Sequence, residues 1–167
     1  MFIGCSTNGF YPQLSPIAAL TAIGMLGFTH AELTLYHRRH YTEAAFRACG
    51  QAARAAGVSI DVVHLEPNEH RAFDPDRAVV TEAWENFDRA IAGAARIGAK
   101  TVIWQGPMRA EYPIEAGFDP FLEVLYELDC RCQNAGIRLA IENTSVMMLS
   151  TLRDLMAVGP RLPSGVG

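Results

Sequence analysis

Apolar and polar positions alternate between two periods along this chain. Four helical stretches run into a short glycine-bearing joint and then into a β-rich run. The joints are Leu26-Gly27-Phe28, Ala56-Gly57-Val58, Ile97-Gly98-Ala99 and Ala135-Gly136-Ile137. The runs they feed are His30–Leu35, Val58–His64, Lys100–Gln105 and Ile137–Glu142, and a fifth run, Phe2–Ser6, opens the chain. Val80, Trp84, Phe87, Ile91 and Ala94 share one helical stripe, as do Phe121, Leu125, Leu128 and Cys132. Glu82, Glu85, Arg89, Glu123, Glu127 and Arg131 occupy the opposite, solvated faces.

Helix starts carry their own marks. Ser15-Pro16, Asp74-Pro75 and Asp119-Pro120 each set a capping side chain before a proline at the first helical position. Thr42 is expected to cap a helix over Glu43–Ala56, and Ser150 or Thr151 one beginning near Leu152. Strands alternating with helices predict βαβ units and a parallel sheet. Branched apolar runs such as Ser59–His64 suit strands covered by helices. The longest insertions, Leu65–Phe73 and Gly106–Phe118, follow strands, on the side where loops build active sites. Glu32, His64, Gln105 and Glu142 fall towards the same carboxyl ends. An open doubly wound sheet would show a glycine-rich turn after its first strand. The segment Ser6–Tyr11 holds one glycine and no G-x-G-x-x-G, so an α/β barrel of the TIM type is the expected fold.

Composition narrows the chemistry. With 167 residues, half of them hydrophobic, the chain is expected to be one domain with a real core. Lys plus Arg number 14 against 18 Asp plus Glu, a net charge of -4, and no long basic run offers nucleic acid a binding face. Cys5, Cys49, Cys130 and Cys132 form no metal knuckle, and reduced, packed thiols in a cytoplasmic protein are expected. No apolar segment is long enough to span a membrane.

The N-terminal Ile3-Gly-Cys-Ser6 strand, Gly27-Phe-Thr-His-Ala-Glu32-Leu at the second strand, Val62-Val-His64 at the third and Ile141-Glu142-Asn-Thr144 at the fifth are together informative. In that order they resemble the xylose isomerase-like TIM-barrel superfamily, which holds sugar isomerases, sugar-phosphate isomerase/epimerases and endonuclease IV. The resemblance implies an eight-stranded barrel, typically about 250 residues. Residues 1–167 are then expected to supply five of the eight βα units, stopping where a sixth strand would begin. It also implies a divalent metal (Mn, Mg, Co or Zn) held by strand-end acids and histidines, with Glu142 as the ligand on the fifth strand. Glu142 and His64 are the expected catalytic residues. Gln105, Trp104, Asn143, Glu32 and Arg38 are expected to bind substrate, Arg38 within a His37–Tyr41 cluster suited to a phosphate.

Two departures bear on the choice of activity. Gln105 stands where the endonuclease pattern has a histidine, and glutamine is a poor zinc ligand but a good partner for sugar hydroxyls. Met148 stands six residues beyond Glu142, where some ketose epimerases carry a glutamate. The expected activity of the full-length form is metal-dependent isomerisation or epimerisation of a sugar or sugar phosphate, with this chain alone inactive. The rivals are an apurinic endonuclease-like phosphodiesterase and a non-catalytic half-barrel. The half-barrel would pair with another chain, or with its own copy, through open edges at Phe2–Ser6 and Ile137–Glu142.

Overall fold

The computed structural model of the chain describes residues 3–66, 71–110, 112 and 117–167. Phe2, His70 and parts of the two long insertions, residues 67–70, 111 and 113–116, lie outside the described residues.

Five strands form one sheet: β1 (Cys5–Ser6), β2 (His30–Leu35), β3 (Ser59–Leu65), β4 (Thr101–Trp104) and β5 (Arg138–Ile141). Their spatial order is their chain order, and every neighbouring pair is parallel. A doubly wound sheet reverses its strand order at a switch point. This one does not, which is the progression of a barrel wall. After the strands come α1 (Pro16–Met25), α2 (Glu43–Ala55), α3 (Arg77–Ile97), α4 (Asp119–Asn134) and α5 (Leu152–Val158).

The glycine joints work as expected. Gly27, Gly57, Gly98 and Gly136 take φ of 86, 70, 85 and 70°, the left-handed exit that ends a helix without a Cβ clash. Ser15 and Thr42 accept from Ala18 N and Ala45 N. Thr151 and Asp154 form a reciprocal capping box on α5. Two starts differ from expectation. Asp76, not Asp74, caps α3, because its carboxylate accepts from Ala78 N while Asp74 accepts from Asp76 N one turn earlier. At α4 the cap position falls on Phe118 without a side-chain bond, and Asp119 instead pairs with Arg161.

The core lies between the sheet's outer face and the helices. Leu33, Leu35, Val63, Leu65, Val102, Trp104 and Leu139 are buried in one cluster with Phe46, Phe87, Phe121 and Leu125. Trp104 has no exposed surface; it stacks on Phe121 (centroids 5.7 Å) and meets Phe87 edge-on (5.6 Å). The expectation that its ring offers a face to a sugar is therefore corrected: strand alternation points residue 104 away from the interior of the sheet's curve. Helix α3 lies close to α2 because residue 93 is glycine; a Cβ there would stand 2.3 Å from the Phe46 ring. The cysteines are unpaired thiols. Burial pushes Cys49 up to about 11, and burial with the Asp129 charge pushes Cys132 up to about 12.

Two details shape the sheet's edges and pleat. The β5 edge, expected to be open, carries a parallel pairing: Gly167 N donates to Leu139 O (3.1 Å) and Ile141 N to Gly167 O (3.0 Å). Between β2 and β3 the register steps from Ala31↔Ile60 to Glu32↔Val62, leaving Asp61 as the extra residue of a bulge. The Asp61 carboxylate takes the His30 Nδ1 contact (2.5 Å) and the Ser59 hydroxyl (2.7 Å). His30 thus belongs to the amino-terminal end of the sheet, away from the strand ends.

Candidate active site

Glu32, Thr34 and His64 share the inner face with Val62, Ile103 and Ala140, and Gln105 and Glu142 follow directly at the carboxyl ends of β4 and β5. Ser6 Oγ donates to Glu32 Oε1 (2.6 Å), and Thr34 Oγ1 reaches the same oxygen at 3.5 Å. Glu32 therefore points inward. His64 sits between two carboxylates: its Nδ1 is 3.9 Å from Glu32 Oε1 and its Nε2 is 3.2 Å from Glu142 Oε2. The second contact is close enough for an ion pair but is not aligned as a hydrogen bond, so the buried Nε2 has no hydrogen-bond partner. Gln105 Nε2 donates to Glu142 Oε2 (2.7 Å) and fixes the carboxylate.

Four of the expected residues, Glu32, His64, Gln105 and Glu142, are thus brought into one contact chain. Three are not. Trp104 is in the core. Asn143 is exposed, and Gln105 rather than Asn143 holds Glu142. Arg38 pairs with Glu82 of α3 and lines an outer groove with Arg39, Tyr41, Thr42, Glu43 and Arg89. That groove shares no residue with the cavity over the strand ends, which Asn8, Tyr36, His64, Gln105, Met108 and Met147 help to line. In the His37–Tyr41 cluster, burial followed by repulsion from His37 and Arg39 holds His40 below its ordinary value, which opposes rather than favours a cationic phosphate cradle.

The cavity over the strand ends encloses about 210 Å³. Part of its wall comes from two loops zipped together: Met108 and Met147 form an antiparallel bridge, and Arg109 N donates to Val146 O (2.9 Å). Met148, in the position where a glutamate was of interest, is fully buried. Ser6, Asn8, Thr34, Tyr36, Met108 and Met147 were missed in the sequence. Thr34 and Tyr36 had a signal, since a strand's two-residue period counted on from Glu32 reaches both. Burial first, and then the Glu32 and Glu66 charges, push the Tyr36 phenol above its ordinary value against a lowering bond with Thr34.

A profile of the xylose isomerase-like TIM barrel family matches residues 19–163, nearly the whole chain. The chain belongs to that family. Solved structures of similar fold agree with the architecture. A D-psicose 3-epimerase in the presence of D-fructose is 18% identical with a TM-score of 0.75, the match covering 99% of this chain and 62% of that one. A D-psicose 3-epimerase with D-tagatose from Clostridium cellulolyticum H10 is 13% identical, TM-score 0.77, with coverages of 99% and 62%. A xylose isomerase-like TIM barrel protein from Mycobacterium smegmatis in complex with magnesium is 17% identical, TM-score 0.74, with coverages of 99% and 63%. The chain therefore spans somewhat under two thirds of the length of these relatives. No curated protein matches it significantly. Among the described residues, no helix is long and apolar enough to cross a membrane.

Hard divalent cations take carboxylate oxygens, and Glu142 offers them beside the orphaned Nε2 of His64. Among the described residues no group of three His, Cys, Asp or Glu is arranged to hold a metal ion. The donors of this family member fit part of such a site and not a whole one.

Proposed function

We propose that these residues form the amino-terminal share of a sugar isomerase or epimerase site, in which protons move at a carbon next to a carbonyl. The observation that carries this is the Glu32–His64–Glu142–Gln105 chain over the strand ends, an imidazole between two carboxylates, with His64 and Gln105 lining the cavity there. Such pairs hold and pass protons. His64 is the group that exchanges a proton with substrate, Glu32 faces its far nitrogen, and Gln105 holds Glu142 towards the sugar oxygens. A divalent cation, when bound at Glu142, would polarise a sugar's carbonyl and neighbouring hydroxyl. The ketose ligands of the two D-psicose 3-epimerase structures support a ketose as the substrate class. The metal set in this chain is partial, so we propose that it does not by itself turn over ketoses at ordinary enzymatic rates.

Mn²⁺ titration followed by electron paramagnetic resonance, with ketose binding read by ligand-observed NMR, tests the reading. The expected result is binding of both, with Glu142→Gln weakening Mn²⁺ by roughly 10- to 100-fold, the range known even for residues that only support a ligand. Mn²⁺ binding indifferent to that substitution, or no ketose binding, overturns it. Rapid ketose interconversion by this chain with Mn²⁺ or Mg²⁺ would sink the claim of dependence on further groups.

A further inference from the structure

Asn8 follows β1 and Glu142 follows β5, the two outer strands of the sheet, so they stand over opposite sides of the mouth. Asn8 and Tyr36 both line the cavity. The Tyr36 hydroxyl donates to Asn8 Oδ1 at 2.7 Å. Behind it, the Tyr36 ring stacks on Tyr11 with centroids 3.8 Å apart and planes 17° from parallel. A carboxamide whose oxygen is engaged by a phenol has its NH₂ turned the other way, with two donors to offer. Among the described residues the Asn8 amide nitrogen makes no hydrogen bond. Gln105, the other amide lining the cavity, spends a donor on Glu142. Asn8 is thus an oriented, uncommitted donor on the β1 side of the cavity, across the sheet from Glu142.

We propose that Asn8 is a substrate-binding residue that donates to a sugar oxygen remote from Glu142, and that Tyr36, braced by Tyr11, is the positioning residue that aims it. The inference rests on the sugar reading above and adds to it how one end of the ligand is recognised. The phenol acts as a donor, so it must stay protonated; its upward displacement by burial and by Glu32 and Glu66 agrees with that. Asn8 lies exposed in a short 3-10 turn, Thr7–Phe10, so its replacement leaves the core intact.

The test is the dissociation constant for D-fructose by ligand-observed NMR, with Mn²⁺ affinity and melting temperature as controls. Asn8→Ala is expected to weaken D-fructose about ten-fold, one hydrogen bond's worth, and to leave Mn²⁺ affinity unchanged. Tyr36→Phe is expected to weaken it several-fold, and the double variant no further than Asn8→Ala alone, because Tyr36 acts through Asn8. Asn8→Asp keeps the size and the phenol's acceptor but removes both N–H donors; it is expected to behave like Asn8→Ala and covers the case in which the alanine variant is unstable. Unchanged affinity in both Asn8 variants overturns the proposal while leaving the sugar reading standing. Additive losses in the double variant overturn the positioning role. A wild-type chain that binds no D-fructose overturns the sugar reading and this inference together.

Discussion

The two faces of the sheet have been given opposite tasks. On the outer face Leu33, Val63, Leu65, Val102, Trp104 and Leu139 are at most 1% exposed and pack against helices. On the inner face Glu32, Val62, His64, Ile103, Gln105 and Ala140 keep partial exposure, and the polar members bond to one another instead of to the core. Stability therefore concentrates on one side of a sheet whose other side carries the chemistry. Changes on the two faces should separate cleanly in what they damage, because residues adjacent in sequence, such as Trp104 and Gln105, lie on different faces.

Four substitutions probe that separation, and the first should be the most damaging. Trp104→Ala removes the ring between Phe87 and Phe121 and should cost about 3–5 kcal/mol in urea unfolding. A loss similar to that of an inner-face variant would break the division. Gly93→Ala forces a methyl into the Phe46 ring and should cost about 1–3 kcal/mol in the same measurement; an unchanged midpoint would show that α2 and α3 yield freely. Glu32→Gln, on the inner face, should shift stability by no more than about 1 kcal/mol while altering the His64 ring resonances in NMR. The smallest effect concerns α5. Burial alone would raise Asp154, but hydrogen bonds from the Thr151 hydroxyl and the Thr151 and Ser150 N–H groups, with Arg109 nearby, outweigh it and hold the carboxyl below 3.8. Since the folded value is the lower one, this contribution is complete above 3.8 and disappears as pH falls from there through the folded value. Asp154→Asn should flatten that part of the acid limb of the melting-temperature profile; an unaltered limb would remove the capping box from the account.

Much of the architecture could be read before the structure, for local reasons. The joint glycines occupy backbone conformations that other residues resist, and Ser15 and Thr42 cap through bonds within their own turn. At α3 two aspartates flank Pro75, and choosing between them depends on which N–H each can reach, so Asp74 was preferred wrongly. In the site, His64, Gln105 and Glu142 were legible because they end apolar runs. Asn8 and the Met108–Met147 pair were not, because they meet through loops from different βα units, a relation no local period encodes. Arg38 misled for the converse reason. A basic cluster near a strand end looks like a phosphate cradle until Glu82, 44 positions further on by their numbers, takes its charge outward.

The bulge at Asp61 has a consequence for how this strand tolerates length changes. Ile60 and Val63 are both in the core although they are three apart, an odd step that strict alternation forbids. The strand holds one residue more than its two halves need, so it is out of step with itself by one count. Deleting Asp61 would bring Ile60, Val63 and Leu65 into a single even series and still leave His64 turned to the mouth. The expected loss is confined to the His30 and Ser59 contacts and the bond from Lys100 N to the Asp61 carbonyl (2.8 Å), and amide NMR shifts distant from β2, β3 and the start of β4 should stay where they are. Deleting a residue from β4, which carries no spare, would instead exchange the places of Trp104 and Gln105 relative to the residues before them. The sheet can thus absorb a lost codon at one position along β3 and would be inverted by one in the neighbouring strand.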